Sequence, residues 1–198
     1  AMEEYLQRGI RSAEQRGAEM LVFQLNTPGG SISVMNEMVQ AIRQSDVPVV
    51  VYVAPRGAMA GSAGAILTIA GHASAMAPET IIGAASPVSG EGQDLDETML
   101  AKEKNALIAT IETLMEDRPP EAVEVARQTV ETAKAVSAKE ALEVGMVDFV
   151  AIDLQDLLRQ LDGFNVKLQG KELTLHTQQA QVEDLPISLI EQILLMLT

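Results

Sequence analysis

Short apolar runs alternate with helical patterns along this chain, and that alternation restricts it to an α/β domain built on a mostly parallel sheet. Val49-Val50-Val51-Tyr52-Val53 is the strongest strand in the sequence, rich in β-branched residues that suit a pleated surface. Residues 19–25 form a second apolar run that reads as a buried strand. Between the two, Ser31 is placed to cap a helix through about Gln44. Residues 2–16 have the period of an amphipathic helix, ended by Gly17. Residues 58–71 are apolar all round and read as one buried helix, followed by short strands at 73–76 and 80–83. A long helix is expected over 96–116, broken by Pro119-Pro120 and followed by a second helix. Residues 138–144 read as a short helix that Gly145 ends, feeding a strand at 146–150.

This pattern divides the chain into a main domain, residues 1–151, and a smaller appendage, residues 152–198. The appendage should hold one helix, two strands around a turn at Gly170, and an apolar helix over 187–198. Residues 86–94, Ser-Pro-Val-Ser-Gly-Glu-Gly-Gln-Asp, form a polar, glycine-rich loop, the segment expected to be most mobile. The chain opens at Ala1 inside a helical pattern and closes inside an apolar one, as expected of a soluble piece of a longer protein.

Composition excludes several kinds of function. At 47% apolar and 21% charged residues the chain is globular, and its 198 residues suffice for a sizeable core. With only three Phe, two Tyr and no Trp, that core must be built from Ala, Val, Ile, Leu and Met. A net charge of -14 disfavours nucleic-acid binding, which needs a basic footprint. The absence of cysteine rules out disulfides, thiolate zinc sites and a Cys nucleophile. With two histidines, His72 and His176, a His-rich metal site is not expected, and no cofactor is called for. No run reaches the roughly 18 apolar residues of a membrane-spanning helix.

The chemistry concentrates in two segments. Leu25-Asn26-Thr27-Pro28-Gly29-Gly30 is a turn directly after a strand, and a Gly-Gly turn lets backbone amides approach a ligand closely. Ser62 lies in Gly57-Ala58-Met59-Ala60-Gly61-Ser62-Ala63-Gly64-Ala65, where small neighbours leave room for an acyl group. The pair suggests an oxyanion hole beside a nucleophile.

These two segments resemble the ClpP/crotonase superfamily, in which a Gly-Gly turn and the start of a buried helix form the oxyanion hole. Ala75-Met76-Ala77-Pro78-Glu79-Thr80-Ile81-Ile82-Gly83-Ala84 and residues 138–148 also fit that pattern. The resemblance spans roughly residues 2–150 and implies a ClpP/crotonase-like fold, with the family's N-terminal strand missing here. ClpP peptidases pair their serine with a histidine just before a Pro, but here the position falls at about Ala85, ahead of Ser86-Pro87. His72 cannot substitute, since ten residues of helix separate it from Ser62 by about 15 Å.

The branch that remains resembles the NfeD-type membrane-bound serine proteases, cousins of signal peptide peptidase A, which use a Ser-Lys dyad. The resemblance implies Ser62 as nucleophile and Lys102 as base, a lysine that burial would keep neutral. It implies Gly30 and Ala63 as oxyanion-hole amides and Gly29 and Gly61 as substrate-binding positions. Helical periodicity does not choose the lysine. Lys102 shares a face with Met99, Ala106 and Ala109, whereas Lys104 shares one with Leu100, Leu107, Ile108 and Ile111.

The implied function is a serine endopeptidase that cleaves apolar segments of a stomatin-like membrane protein. The full-length protein would be membrane-anchored with this domain on the extracytoplasmic side, and a homo-oligomer is expected. Two alternatives stand beside it: a crotonase-type enzyme acting on an acyl-CoA thioester, and an inactive membrane-anchored scaffold. The acidic charge and the lack of an evident basic patch for CoA phosphates weigh against the first.

Overall fold

The computed structural model describes residues 2–87 and 97–188. Its elements run α1 (Met2–Arg16), β1 (Leu21–Leu25), α2 (Ile32–Gln44), β2 (Val49–Val53), β3 (Met59–Gly61), α3 (Ala63–Ala70), β4 (Ala73–Met76) and β5 (Ile81–Gly83). They continue with α4 (Glu97–Leu114), α5 (Pro120–Glu131), β6 (Ala135–Ser137), α6 (Ala138–Glu143), β7 (Phe149–Val150), α7 (Leu154–Leu161), β8 (Asn165–Leu168) and β9 (Lys171–Thr174). Four strands form an all-parallel sheet in the order β1-β2-β4-β7. A second sheet, β3-β5-β6, pairs β3 with β5 in parallel and β5 with β6 antiparallel.

Every residue of β2 is buried, because strand side chains alternate and each face meets its own core. Val49, Val51 and Val53 join Leu6 and Ile10 of α1, Met35, Met38 and Ile42 of α2, and Ile66 of α3. Val50 and Tyr52 face the other way, onto Ala73, Ala75, Leu157, Leu161 and Val166. The region after residue 151 therefore covers the sheet's second face. Leu157 and Leu161 are fully buried there, each contributing about 2–3 kcal/mol by leaving water. The Tyr52 hydroxyl donates to the Ala151 carbonyl at 2.8 Å and fixes where that cover begins.

Most expected elements form where the sequence places them, with four differences. Residues 58–71 are not one helix: Met59–Gly61 is a strand, and the helix starts at Ala63. Small residues buried on every side carry no period to tell the two apart. The strand expected over 146–150 is only Phe149–Val150, because Asp148 turns inward to accept from Arg118 Nη2 (2.9 Å) and the Ser74 amide (2.8 Å). Strand β6, three residues long, has no legible pattern. Within the apolar stretch at 187–198, Ile187 and Ser188 are irregular. The rest of that expected helix, and residues 88–94 of the expected loop, lie outside the described residues.

Strand β1 stands at one edge of its sheet. A cavity of about 780 Å³ runs beside it, lined by Tyr5, Leu21, Val22, Leu158 and Leu185 among others.

Candidate active site

The chain leaves β1 into the Asn26–Gly30 turn, and that turn is fastened to β3. Thr27 bridges to Ala60 in parallel register. Its amide donates to the Met59 carbonyl at 2.8 Å, and the Gly61 amide donates to the Thr27 carbonyl at 2.9 Å. Asn26 Oδ1 also accepts from the Met59 amide at 3.2 Å. These bonds hold residues 27–30 against the segment that carries Ser62.

Ser62 is the junction between β3 and α3. Its amide donates to the Gly83 carbonyl at 2.8 Å, its backbone sits at φ 49 and ψ -117, and its side chain makes no capping bond to the helix. Positive φ is uncommon for a residue with a Cβ, and strain of this kind costs on the order of 1–3 kcal/mol. It produces a sharp strand-to-helix elbow that lifts the hydroxyl off the helix end, the geometry of a nucleophile elbow. No hydrogen-bond partner occupies Ser62 Oγ among the described residues.

Glycines make the approach possible. A Cβ on Gly29, whose φ is +149, would lie 2.9 Å from Ser62 Cβ and 3.5 Å from its Oγ. One on Gly61 would lie 2.6 Å from the Pro28 carbonyl oxygen. Gly30 faces Ala63, where an added Cβ would be 3.9 Å from the Ala63 methyl. The Gly29 amide is already bound to Thr27 Oγ1 at 3.2 Å. The Gly30 and Ala63 amides donate to no acceptor among the described residues. Ala63 also opens α3, where the helix dipole favours negative charge. Two free amides beside an unbound hydroxyl are the elements needed to stabilise a tetrahedral oxyanion.

The lysines stand apart from this cluster. Lys102 is exposed on α4 and Lys104 is half-buried. The buried residues of α4 are Leu107 and Ile111, the face that Lys104 shares at helical spacing. Burial, expected to keep the base neutral, is thus not found at Lys102. No hydrogen bond or ion pair joins either amine to Ser62 among the described residues. His72 is committed elsewhere: its Nδ1 accepts from the Val49 amide at 3.0 Å. Burial, reinforced by the charge of Arg43, pushes its pKa down to about 4. The cavity along β1 and a smaller one of about 360 Å³ between α1 and α2 are lined by neither Ser62 nor the glycine turn. No cluster able to hold a metal ion occurs among the described residues.

A family model described as "NfeD1b, N-terminal domain" matches residues 1–171. The chain belongs to this family. The NfeD1b-type chain is 35% identical over 195 residues to "Membrane-bound protease PH1510" of Pyrococcus horikoshii, covering 96% of this chain and 44% of that one. It spans less than half the length of the curated relatives it matches, 44% and 37%. Among solved structures, an alanine mutant of the 1510-N membrane-bound stomatin-specific protease in complex with a substrate peptide superposes with a TM-score of 0.88. That match has 31% identity and covers 98% of this chain and 90% of the other. ClpP1 from Listeria monocytogenes matches with a TM-score of 0.60 at 14% identity, covering 76% of this chain and 84% of the other. This NfeD1b-type domain therefore has the ClpP-like fold. Among the described residues, no helix is long and apolar enough to cross a membrane.

Sequence reasoning singled out Ser62, Ala63, Gly29, Gly30 and Gly61, and the fold brings all five together. It missed Thr27, whose hydroxyl ties the glycine turn down. A threonine two residues before a Gly-Gly turn was the available signal, since Ser and Thr hydroxyls commonly close such turns.

Proposed function

We propose that this NfeD1b-type domain is a serine endopeptidase in which Ser62 is the nucleophile and a lysine of α4 is the base. Ser62 Oγ attacks the peptide carbonyl as its proton passes to the amine. The Gly30 and Ala63 amides hold the oxyanion, and the proton then goes to the leaving amine. Water hydrolyses the acyl-enzyme by the same route. The observation that carries this reading is the strained Ser62 elbow pressed against a glycine turn, with both neighbouring amides unbound. A packing serine needs no positive φ, and a crotonase-type thioester enzyme would use the hole without holding a hydroxyl in it.

Lys102 is the proposed base from the family resemblance. The inward face of α4 favours Lys104 as the second candidate. A segment of a stomatin-like protein is the proposed substrate, supported by the naming of the 1510-N solved structure as a stomatin-specific protease and by its complex with a substrate peptide. The whole protein is proposed to be membrane-anchored and homo-oligomeric, with this domain on the extracytoplasmic side.

The test is cleavage of a fluorogenic apolar peptide together with labelling by a fluorophosphonate, the adduct located by mass spectrometry. Labelling should fall on Ser62, and Ser62→Ala should abolish both labelling and cleavage while keeping the folded circular-dichroism spectrum. Cleavage by Ser62→Ala at the parent rate would refute the assignment.

A further inference from the structure

Thr27 is buried at 7% exposure, yet its side chain makes two polar contacts, both to Gly29, one on each of the peptide units that flank its Cα. Its Oγ1 donates to the Gly29 carbonyl at 2.9 Å and accepts from the Gly29 amide at 3.2 Å. Its backbone meanwhile is bonded on both sides to β3, through the Met59 carbonyl and the Gly61 amide. Its methyl fills the space where a Cβ on Gly64 would lie, 2.7 Å from Thr27 Cγ2. One residue thus touches the glycine turn, the strand that delivers Ser62, and the first turn of α3.

Glycine has the widest backbone freedom of any residue, so two in succession do not hold an amide in one direction unaided. The Thr27 hydroxyl removes that freedom at Gly29 by engaging both its N–H and its C=O. It also takes the Gly29 amide out of competition, leaving Gly30 as the turn's free donor. We propose that Thr27 is a positioning residue for the oxyanion hole: its hydroxyl fixes the Gly29 peptide so that the Gly30 amide stays aimed at the oxygen that develops beside Ser62. This rests on Ser62 being the nucleophile and adds a residue that contacts neither substrate nor reacting atoms.

Thr27→Val keeps the branched shape and the methyl against Gly64 but loses the hydroxyl, whereas Thr27→Ser keeps the hydroxyl and loses the methyl. Losing one oxyanion donor costs about 100–1000-fold in kcat, and releasing one without deleting it falls at the lower end. With a fluorogenic apolar peptide, Thr27→Val should lower kcat about 100-fold with KM within about twofold. The rate of fluorophosphonate labelling at Ser62 should fall in parallel. Thr27→Ser should keep kcat within about fivefold of the parent. Amide hydrogen exchange supplies a readout independent of turnover: protection at Gly29 should disappear in Thr27→Val and persist in Thr27→Ser.

Parent-like kcat in a folded Thr27→Val variant overturns the proposal and leaves the nucleophile assignment standing. Equal loss in both variants, with Gly29 still protected in Thr27→Ser, assigns the effect to the methyl contact and also overturns it. A parent chain that neither cleaves the peptide nor labels at Ser62 overturns the nucleophile assignment and Thr27's role together.

Discussion

Helix α3 is buried at every residue from Ala63 to Ala70, whereas α4 buries only Leu107 and Ile111 along its 18 residues. The first helix begins at the elbow of the proposed nucleophile, Ser62, and the second carries both candidate bases. Around Ser62, backbone bonds to Gly83 and the β3–Thr27 pairing fix the geometry before any substrate arrives. Around Lys102 the side chain is exposed. The far end of α4 is better held: Met115 is buried just beyond it, and Arg118 reaches the Asp148 carboxylate that also caps Ser74. Strain of 1–3 kcal/mol persists only where surrounding structure over-determines it, so the rigid, buried half is the one able to hold a distorted serine. If Lys102 is the base, its approach to Ser62 must come with the substrate. Catalytic hydrogen bonds are often long or unformed before substrate binds.

The largest effect is expected at the lysines of α4. A general base contributes about 100–10,000-fold, so Lys102→Ala should lower kcat by that order and Lys104→Ala by less than about threefold. The reverse ranking, measured on the same apolar peptide, would move the base to the inward face of α4 and contradict the family register.

Next in size is the glycine turn. Gly29→Ala places a methyl 2.9 Å from Ser62 Cβ at a φ of +149. It should lower kcat about 100-fold and cost about 2 kcal/mol of stability. Gly17→Ala is the control: its φ of +60 has nothing within 4 Å of the added methyl. It should cost about 1 kcal/mol and leave kcat unchanged. Equal kinetic effects would show that the Ser62 half is not tightly built.

The smallest effect is on acid stability. His72 sits between α3 and β4, and its Nδ1 can accept from Val49 only when unprotonated. Its pKa of about 4 lies below the unfolded value of about 6.5, so the unfolded chain binds the extra proton between the two. Stability should therefore fall as pH drops from about 6.5 to about 4, by on the order of 3 kcal/mol, in urea titrations. His72→Asn should flatten that part of the profile. An unchanged slope would remove His72 from the support of α3.

The sheet and the helices around its first strands were legible because β2 and its neighbours carry clear patterns, whereas the packing of residues after 151 onto the second face was not, because the sequence reads them as a separate appendage. The glycine turn and Ser62 were legible because a Gly-Gly pair after a strand occurs together with a serine set among small residues, where either alone would be weak. The split of residues 58–71 was not, because Ala58, Ala60, Ala63 and Ala65 are small and buried whichever element holds them. Nor was the positive φ of Ser62, set between its own bond to Gly83 and the Gly61 bond to Thr27 rather than by serine's own preference. At α4 the periodicity was informative: Leu107 and Ile111 do face inward with Lys104. Choosing Lys102 came from family register, and a helix with one lysine on each side gives composition no means of deciding.

The Ser62 half of the proposed site stands preformed. A crystal structure of the covalent adduct with a peptide aldehyde or boronate tests it most directly. The adduct should show a bond from Ser62 Oγ, an oxygen within about 3 Å of the Gly30 and Ala63 amides, and backbone at residues 27–30 and 59–64 unmoved. An adduct on another residue, or an oxygen turned away from both amides, would contradict it.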